Sequence, residues 1–492
     1  MTKHSLSKST FIRGQQCQKS LYLHYKRPFL RDKLSAEQLA KFKRGTDVGV
    51  LARDLFPGGQ DMSPKSPSQY QKKREETAAA LSNPDISILY EAVFQYDDVL
   101  IMLDILLRDG HQWKAIEVKS SRSISATYIK DAALQFYVIR GCGIQLSDFS
   151  LIYVNENYVL NDTLELDKLF IQQSVLNEVV AQTEEIRHQI HLSKESLQLT
   201  KSPDINIGIH CQHPYPCDFI GHCWKNVPAK SVLSLKTFNK ALLFDLYHEG
   251  KTHIREFPEE LVQTSSQKSE LEAFRKDSLT FDTACLKTFF QKSTASKKCH
   301  YLKLIVQQPA VPVIKGSRPY EMLPLAVSVL SHESSKSETI QFTQDLSGGL
   351  KFLDFISDLN KEVELLVTDD INVLLQCIEG VVFYTKEDPS AALQNLQNKL
   401  VGIRQIIEEC GVFHPDFSDG WNLSDVASVV GAKKQFLKEN VFLVKDLLEE
   451  NDTEKLDQLF QRIVQYTKAI ELTFRYFQET AKNVSSINRI LF

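Results

Sequence analysis

The 492-residue chain has no apolar run near 18 residues and no charged segment followed by an apolar one at its start. The first absence excludes a membrane-spanning helix and the second a secretory signal, so we expect a soluble, cytoplasmic protein. No glycine-rich phosphate-binding loop and no internal repeat is present, which leaves a nucleotide-driven motor without support. The nine cysteines are an odd number, which argues against a framework of disulfide bonds.

The length and apolar content predict two or three domains with ordinary hydrophobic cores. A net charge of −4 argues against a nucleic-acid coat protein, but the charge is unevenly distributed. Residues 1–50 contain eleven Lys or Arg against three acidic residues, so the remainder of the chain is acidic. A basic region beside a carboxylate site could follow a phosphate backbone, and a solvated surface is the equal alternative.

Two apolar runs at residues 99–107 and 113–119 are separated by a short polar turn with a glycine, a pattern typical of a β-hairpin. Asp104 interrupts the first run, and Glu117 and Lys119 interrupt the second. Because side chains alternate along a strand, Glu117 and Lys119 share one face. Buried charges need compensation, and a divalent cation shared by the two carboxylates would provide it. A salt-bridged hairpin without any ligand is the alternative.

Asp104 with Glu117-Val118-Lys119 resembles the signature of the PD-(D/E)XK nuclease superfamily. The core of that superfamily runs helix, three strands, helix, strand, and this sequence divides in the same order. The expected elements are a helix near 36–55, strands at 87–96, 99–107 and 113–119, a helix near 126–140 and a strand at 149–155. The resemblance implies that Asp104, Glu117 and the Val118 carbonyl hold Mg²⁺ or Mn²⁺ while Lys119 positions the attacking water.

Three thiols, Cys211, Cys217 and Cys223, follow far downstream with the spacing C-x5-C-x5-C among prolines and a glycine. This pattern indicates a soft-metal site. Together with Cys17, it resembles the iron–sulfur staple of RecB-like nucleases, which include the CRISPR-associated exonucleases and the AddB helicase–nuclease subunit. The resemblance implies a [4Fe–4S] cluster on these four cysteines. Zinc is the alternative, because three histidines lie in the same segment, and a metal-free loop is the third possibility.

Further positions match the RecB-like pattern or depart from it. Glu91 corresponds to an additional acid near the metal, and Gln135 to a glutamine–tyrosine motif that helps to hold the active site and DNA. The alternative for Gln135 is a helix residue bonded to a neighbouring strand. The family usually separates the glutamine and the tyrosine by three residues, whereas Tyr137 follows Gln135 at +2. The stretch 44–51 has no histidine, where many members carry one.

A helical pattern over residues 162–194 leads to the cysteine segment, and beyond that segment helical patterns cover residues 233–249 and 259–290. Residues 301–306 and 316–324 then resemble the DEDD-type, RNase-H-like exonuclease domain of bacterial proteins that join it to a RecB-like nuclease. Three positions that carry metal-binding acids in that family are apolar here, namely Leu304, Val306 and Ile470. Since these side chains do not bind Mg²⁺, the resemblance implies an inactive domain.

We therefore expect an α/β protein with a PD-(D/E)XK restriction-endonuclease-like core followed by a second, mixed α/β, RNase-H-like domain. The expected boundaries are 1–228 for the nuclease with its staple, 229–290 for a helical connector and 291–492 for the inactive domain. The expected activity is metal-dependent, exonucleolytic cleavage of DNA that is single-stranded or has ends. We expect no membrane partner, and a protein partner through the last domain. The alternative is a non-catalytic DNA-binding or assembly protein.

Overall fold

The computed structural model describes residues 5–33, 36–293, 298–333, 336–388, 393, 395–417, 422–431 and 453–490. The chain divides into two compact units. Unit 1 comprises Met1–Tyr158 and Thr163–Asn226, and unit 2 comprises Val159–Asp162 and Val227–Phe492. Each unit contains one mixed sheet with helices, which confirms the α/β class with two domains. None of the described helices is both long and apolar enough to cross a bilayer.

Unit 1 is built on a seven-stranded sheet. Its strands are β1 (Leu6–Ser7), β2 (Gln60–Asp61), β3 (Ile88–Tyr96), β4 (Val99–Asp109), β5 (Gln112–Lys119), β6 (Leu146–Val154) and β7 (Phe170–Ser174). Their order is β2-β3-β4-β5-β6-β7, and β1 pairs in parallel with the start of β4. Strands β3, β4 and β5 are antiparallel neighbours, whereas β5 and β6 are parallel. A parallel pair needs a crossover, and a helix provides it here.

The helices of unit 1 are α1 (Lys8–Gln16), α2 (Gln18–Lys26), α3 (Ala36–Ala52), α4 (Tyr70–Ser82), α5 (Ala126–Gly141), α6 (Leu166–Leu169), α7 (Leu176–Ala181), α8 (Thr183–Gln198) and α9 (Ile220–Cys223). The crossover helix α5 begins after Ser125, whose hydroxyl accepts the N–H of Tyr128. Such a cap satisfies one of the free N–H groups at a helix start. Helix α5 thus starts a few residues after β5 ends, and it packs back over the sheet.

The core of unit 1 lies between α5 and this sheet. Leu106 on β4, Ala115 on β5 and both Leu134 and Val138 on α5 belong to one buried cluster. Burial of a leucine or valine side chain contributes about 1.5–3 kcal/mol. Glu117 follows Ala115 by two residues on the same strand, so it extends this apolar face with a charge.

The expected order of helix, three strands, helix and strand agrees with α3, β3, β4, β5, α5 and β6. The continuous helix expected over residues 162–194 is wrong, because β7 lies within it and pairs antiparallel with β6. Only Phe170 of β7 is buried. An exposed edge strand of this kind lacks the apolar alternation that marks a strand in sequence.

The described residues of unit 2 form five strands, β8 (Cys299–Gln307), β9 (Leu323–Ser331), β10 (Ser337–Gln341), β11 (Leu365–Thr368) and β12 (Leu400–Gly402). Their order is β10-β9-β8-β11-β12, with β8, β11 and β12 parallel and β9 antiparallel to both its neighbours. Its helices are α10 (Lys240–His248), α11 (Ser265–Lys276), α12 (Thr283–Ser293), α13 (Leu346–Glu362), α14 (Ile371–Thr385), α15 (Leu396–Lys399), α16 (Ile403–Glu409), α17 (Leu423–Val429) and α18 (Thr453–Ile490).

The two faces of the unit 2 sheet have separate cores. Leu304 is buried with residues of α13 and α14, and Val306 packs against the same cluster. Ile470 on α18 is buried in the other cluster, which also contains Tyr301 from β8. Residues 301 and 304 differ by an odd number, so their side chains leave β8 on opposite faces. Leu304 and Ile470 therefore do not face one another.

One disulfide bond joins Cys285 on α12 to Cys410, just after α16. The odd number of cysteines did not predict it. Seven cysteines are free, and these include Cys17, Cys211, Cys217 and Cys223. The thiols expected at a metal site are therefore not used in disulfides.

Candidate active site

Strands β4 and β5 separate where their acidic residues begin. The ladder between them ends at the pair Ile105 and Ile116, so Asp104 and Glu117 are the next opposite residues. Asp104 Oδ2 accepts the backbone N–H of Val118 at 2.6 Å. The aspartate thus takes a strand N–H that is no longer paired with a carbonyl of β4. This bond keeps the two acidic residues side by side at the point of separation.

Glu117 is the most enclosed carboxylate of this group, with only 2% of its side chain exposed. Its Oε1 accepts from Lys119 Nζ at 2.8 Å and from Lys8 Nζ at 2.6 Å. Its Oε2 accepts from Gln135 Nε2 at 2.9 Å. Lys119 also contacts Asp131 Oδ2 at 2.5 Å. We call this group the acid site; its members are Asp104, Glu117, Asp131, Lys8, Lys119 and Gln135.

The two neighbouring acids differ in protonation. Burial and the charge of Glu117 raise the pKa of Asp104 to about 8. Burial also acts to raise the pKa of Glu117, but Lys119 and Lys8 outweigh it and hold that pKa well below its usual range. Burial acts against the charged form of Lys119, yet Glu117 and Asp131 raise its pKa above the ordinary value. At pH 7 the acid site therefore combines an ionised Glu117 and the ammonium group of Lys119 with a protonated Asp104.

Glu91 lies opposite Asp104 on β3. The β3–β4 ladder pairs the residues on either side of these two but omits the two themselves. The backbone of Glu91 has a φ of 51°, in the left-handed region that residues other than glycine rarely adopt. Arg53 holds its carboxylate at 2.9 Å, while burial raises the pKa of Glu91 against the effect of that arginine. Such strain concentrates at functional sites.

Two oxygen atoms at the acid site are buried and accept no hydrogen bond from any described residue, Asp131 Oδ1 and Gln135 Oε1. Both residues lie on α5, four positions apart and hence on one helix face. Buried acceptors without a partner are rare in folded proteins. These oxygens, like those of Asp104 and Glu117, are hard donors of the kind that Mg²⁺ or Mn²⁺ prefers. Within the described ranges, however, no three His, Cys, Asp or Glu side chains are grouped as ligands of one ion.

The structure brings together Asp104, Glu117, Lys119 and Gln135 from the predicted set, and it places Glu91 beside them. Tyr137 is directed elsewhere. Its hydroxyl donates to Asp97 Oδ2 at 3.2 Å, at the turn between β3 and β4.

Sequence reasoning missed two members of the acid site, Lys8 and Asp131. Asp131 offered a signal, because it precedes Gln135 by one helical turn and therefore shares its face. Lys8 offered only a general one, since it belongs to the basic first 50 residues. It lies 109 residues before Glu117, so only the folded chain shows their contact.

The four predicted metal-binding cysteines line one cavity of about 20 Å³, which we call the thiol cavity. Cys17 lies between α1 and α2, and Cys223 is the last residue of α9. Cys217 Sγ donates to the hydroxyl of Ser20 at 3.3 Å. Burial raises the pKa of Cys17, and it raises the pKa of Cys223 to about 11. A metal bound here would have to displace these protons, which couples its affinity to pH.

The N-terminal helices are fastened to the cysteine segment by polar contacts as well. Asp218 accepts from Arg13 at 2.7 Å and from Arg31 at 2.6 Å. Helix α1 has Lys8 as its first residue and is followed directly by Cys17. At 1.5 Å per residue, this helix bridges about 14 Å. A single short helix thus connects the acid site to the thiol cavity.

No protein-family model matches the chain, and no curated protein matches it in sequence. Among solved structures, it is similar to one titled "Crystal structure of SSO0001", with a TM-score of 0.25 and 11% sequence identity. That similarity covers 45% of this chain and 87% of the other. A TM-score this low does not establish a shared fold, so the chemistry of the site has to be inferred from its own residues.

Proposed function

We propose that unit 1 is a divalent-metal-dependent deoxyribonuclease that hydrolyses phosphodiester bonds, as an exonuclease on DNA that is single-stranded or has ends. One observation carries the proposal. Asp104 and Glu117 meet where two strands separate, and the Lys119 ammonium and the Gln135 amide lie against the same buried carboxylate. Carboxylate oxygens beside a fixed positive charge suit the stabilisation of a reacting phosphate.

Asp104, Glu117 and the carbonyl of Val118 would hold Mg²⁺ or Mn²⁺. When bound, such an ion activates a water molecule and offsets the charge that develops on the phosphate. Glu117 is already ionised at neutral pH, whereas Asp104 has to release its proton first, because its pKa is about 8. Gln135 donates to Glu117 and fixes the direction of that carboxylate.

Lys119 acts in this mechanism as a donor and a fixed charge, because its raised pKa keeps it protonated. Two of the three N–H groups of this ammonium point to Glu117 and Asp131. The third can orient the attacking water or a phosphate oxygen. The residue that positions Lys119 is Asp131, which contacts it from α5.

The thiol cavity supports the second part of the proposal, a [4Fe–4S] cluster on Cys17, Cys211, Cys217 and Cys223. Four free thiols around one cavity are a donor set that such clusters use, and one that zinc also accepts. In either case the group would join the start of unit 1 to its last helix. Visible absorbance and metal analysis of the purified protein distinguish the two.

DNA is proposed as the substrate on the basis of charge and exposed aromatic rings. The first 50 residues are strongly basic, and within them Phe29 and Phe42 expose 74% and 60% of their surface. Basic side chains contact phosphates in any sequence, and aromatic rings stack on unpaired bases. This combination favours a strand with exposed bases over an intact duplex.

For unit 2 we propose an inactive RNase-H-like module that binds the substrate or a protein partner. Its sheet order places β8, β11 and β12 in parallel, with Asp369 and Asp370 directly after β11. Lys303 pairs with Asp369, and Arg404 pairs with Asp370 at 3.0 Å. Both aspartates are therefore neutralised by side chains of the unit itself.

Cleavage of end-labelled single- and double-stranded DNA tests the nuclease proposal. The anaerobically purified protein would be compared with Lys119→Ala in the presence of Mg²⁺ or Mn²⁺. We expect cleavage by the parent and its loss in the variant. Lys119→Met, which keeps the apolar stem but removes the charge, separates catalytic loss from loss of folding. An inactive parent that retains its cluster absorbance would overturn the proposal.

A specific observation favours a second candidate, a non-catalytic DNA-binding or assembly protein. Both lysine ammonium groups bind the same oxygen of Glu117, as they would in a purely structural salt bridge. This candidate predicts a shift of labelled DNA in a gel that no divalent ion converts into cleavage. The same assay therefore decides between the two.

A further inference from the structure

Lys8 enters the acid site through the N-terminal arm of unit 1. The short strand β1 pairs Leu6 with Val99 and Ser7 with Leu100 of β4. Ser7 then caps α1 by accepting the N–H of Thr10. The strand pairing and the cap together fix where α1 begins. Lys8 is its first residue, so the arm delivers this side chain to a defined place.

The two lysines at Glu117 are held unequally. Lys119 Nζ lies 2.8 Å from Glu117 and 2.5 Å from Asp131, and 15% of its side chain is exposed. Lys8 Nζ lies 2.6 Å from Glu117 but 3.9 Å from Asp131, and 31% of its side chain is exposed. The ammonium of Lys8 therefore leaves the site more readily, because only one of the two acids holds it closely.

Glu117 Oε1 has no free lone pair while both lysine ammonium groups remain in place. A carboxylate oxygen accepts through two lone pairs, and two lysines use them here. Its other oxygen accepts from Gln135, which is fully buried on α5. A further cation at Oε1 therefore requires that one lysine move away.

We propose that Lys8 is a positioning residue that exchanges with a divalent cation at Glu117, an inference that rests on the proposed metal-dependent function. In the ion-free protein, its ammonium neutralises the buried carboxylate. When the ion binds, the flexible side chain swings toward solvent and the ion takes its place at the oxygen. The N-terminal arm thus sets the metal affinity of the acid site.

This exchange predicts two effects of opposite sign when Lys8 loses its charge. Divalent ions no longer compete with an internal ammonium, so they bind more tightly. The ion-free protein becomes less stable, because a buried carboxylate loses a partner. A merely structural lysine would lower stability without tightening metal binding, so the pair of readouts separates the two roles.

Calorimetric titration of the full-length protein with Mn²⁺ is the test. Hydrogen bonds to charged groups are strong enough that Lys8→Met should lower the Kd for Mn²⁺ about tenfold or more. Lys8→Arg keeps the charge and should leave the Kd at or above the parent value. Lys194→Met is the matched control, because Lys194 is a partly buried lysine paired with Asp97 away from the acid site. Its Kd should stay within about twofold.

Several outcomes would overturn the exchange, and they are distinguishable from failure of the nuclease proposal. An unchanged or weaker Mn²⁺ affinity in Lys8→Met, in a parent that cleaves DNA, removes the exchange alone. A parent that binds Mn²⁺ without cleaving DNA, together with tighter binding by Lys8→Met, removes the nuclease and retains the exchange. If neither the parent nor the variants bind Mn²⁺, both the exchange and the metal-dependent nuclease proposal are contradicted. If Lys8→Met does not fold, an unchanged melting temperature of Lys8→Arg with tighter Mn²⁺ binding contradicts the exchange.

Discussion

Each unit sets lysine and arginine side chains against acids at its sheet, but the two arrangements differ in how completely they are satisfied. In unit 1, two ammonium groups share one oxygen of Glu117, while Asp131 Oδ1 and Gln135 Oε1 accept no hydrogen bond from a described residue. In unit 2, Lys303 contacts Asp369 and Arg404 contacts Asp370, so each aspartate has a cation of its own.

The comparison indicates where a ligand is expected. Unit 1 contains a left-handed Glu91, and desolvation together with the charge of Glu117 raises the pKa of Asp104 to about 8. Such features lower the stability of the fold, and in proteins they concentrate at functional sites. The paired aspartates of unit 2 need no bound group. This contrast is the reason for proposing the chemistry in unit 1.

Replacing one carboxylate by an amide in each unit should give the largest difference in DNA cleavage between the two units. Glu117→Gln removes a proposed metal ligand with little change in shape, so we expect kcat/KM for DNA cleavage to fall at least about a thousandfold. Asp369→Asn in unit 2 should leave it within about twofold. Rates on end-labelled DNA measure both. Equal losses in the two variants would erase the distinction between the units.

The thiol cavity provides the next largest difference. Cys217→Ser should abolish the visible absorbance or the bound zinc and lower the melting temperature by roughly 5–10 °C, because unit 1 loses a link between its ends. Cys142→Ser is the control, since Cys142 is exposed and outside the cavity. Spectra and thermal unfolding under anaerobic conditions report the outcome. An unchanged absorbance in Cys217→Ser would contradict the assignment.

The raised pKa of Asp104 predicts a pH dependence of metal binding. Below pH 8 this carboxyl is mostly protonated, so the affinity for Mn²⁺ should rise about tenfold per unit from pH 6 to 8 and then level off. In the ion-free protein the folded state holds this proton more tightly than the unfolded state does. Stability should therefore fall over the same range, by up to about 1.4 kcal/mol per unit.

Calorimetry at pH 6, 7 and 8 measures the affinity, and chemical denaturation of ion-free protein measures the stability. Asp104→Asn should abolish the decline of stability with pH, because an amide does not titrate. A parent whose ion-free stability rises from pH 6 to 8 would contradict the assigned protonation state of Asp104.

The smallest predicted effect distinguishes neighbours on α5. Tyr137→Phe removes a hydrogen bond to Asp97, away from the acid site, so cleavage should change less than twofold and stability by about 1 kcal/mol. Gln135→Ala removes a donor to Glu117, and cleavage should fall roughly tenfold or more. A larger loss of cleavage in Tyr137→Phe than in Gln135→Ala would contradict the assignment of Gln135, rather than Tyr137, to the acid site.

Local sequence was enough to place Asp104, Glu117 and Lys119 together, because a tight hairpin and a two-residue strand period determine their arrangement. The metal itself stays a prediction. Lys8 could not be placed, since Glu117 lies 109 residues away and the contact depends on the pairing of β1 with β4. Strand β7 was missed for a different reason, because only Phe170 of it is buried.

In unit 2 the sequence alignment and the sheet geometry diverge. The positions compared with catalytic acids, Leu304 and Ile470, lie in separate cores on opposite faces of β8. Lys303 lies on the face of β8 that is directed to α18, and its Nζ is 5.8 Å from the ring centre of Tyr466. A shift of one residue along a strand reverses the face of every side chain, and sequence comparison alone does not detect it.

The most direct measurement of the central claim is addition of Mn²⁺ to a complex of ion-free protein and end-labelled DNA, with cleavage followed over a single turnover. If the acid site of unit 1 is a metal-dependent nuclease, the complex forms without the ion and product appears only after its addition. Glu117→Gln should bind the same DNA without producing any. A stable complex of cluster-containing parent protein that yields no product after Mn²⁺ or Mg²⁺ addition would contradict the account.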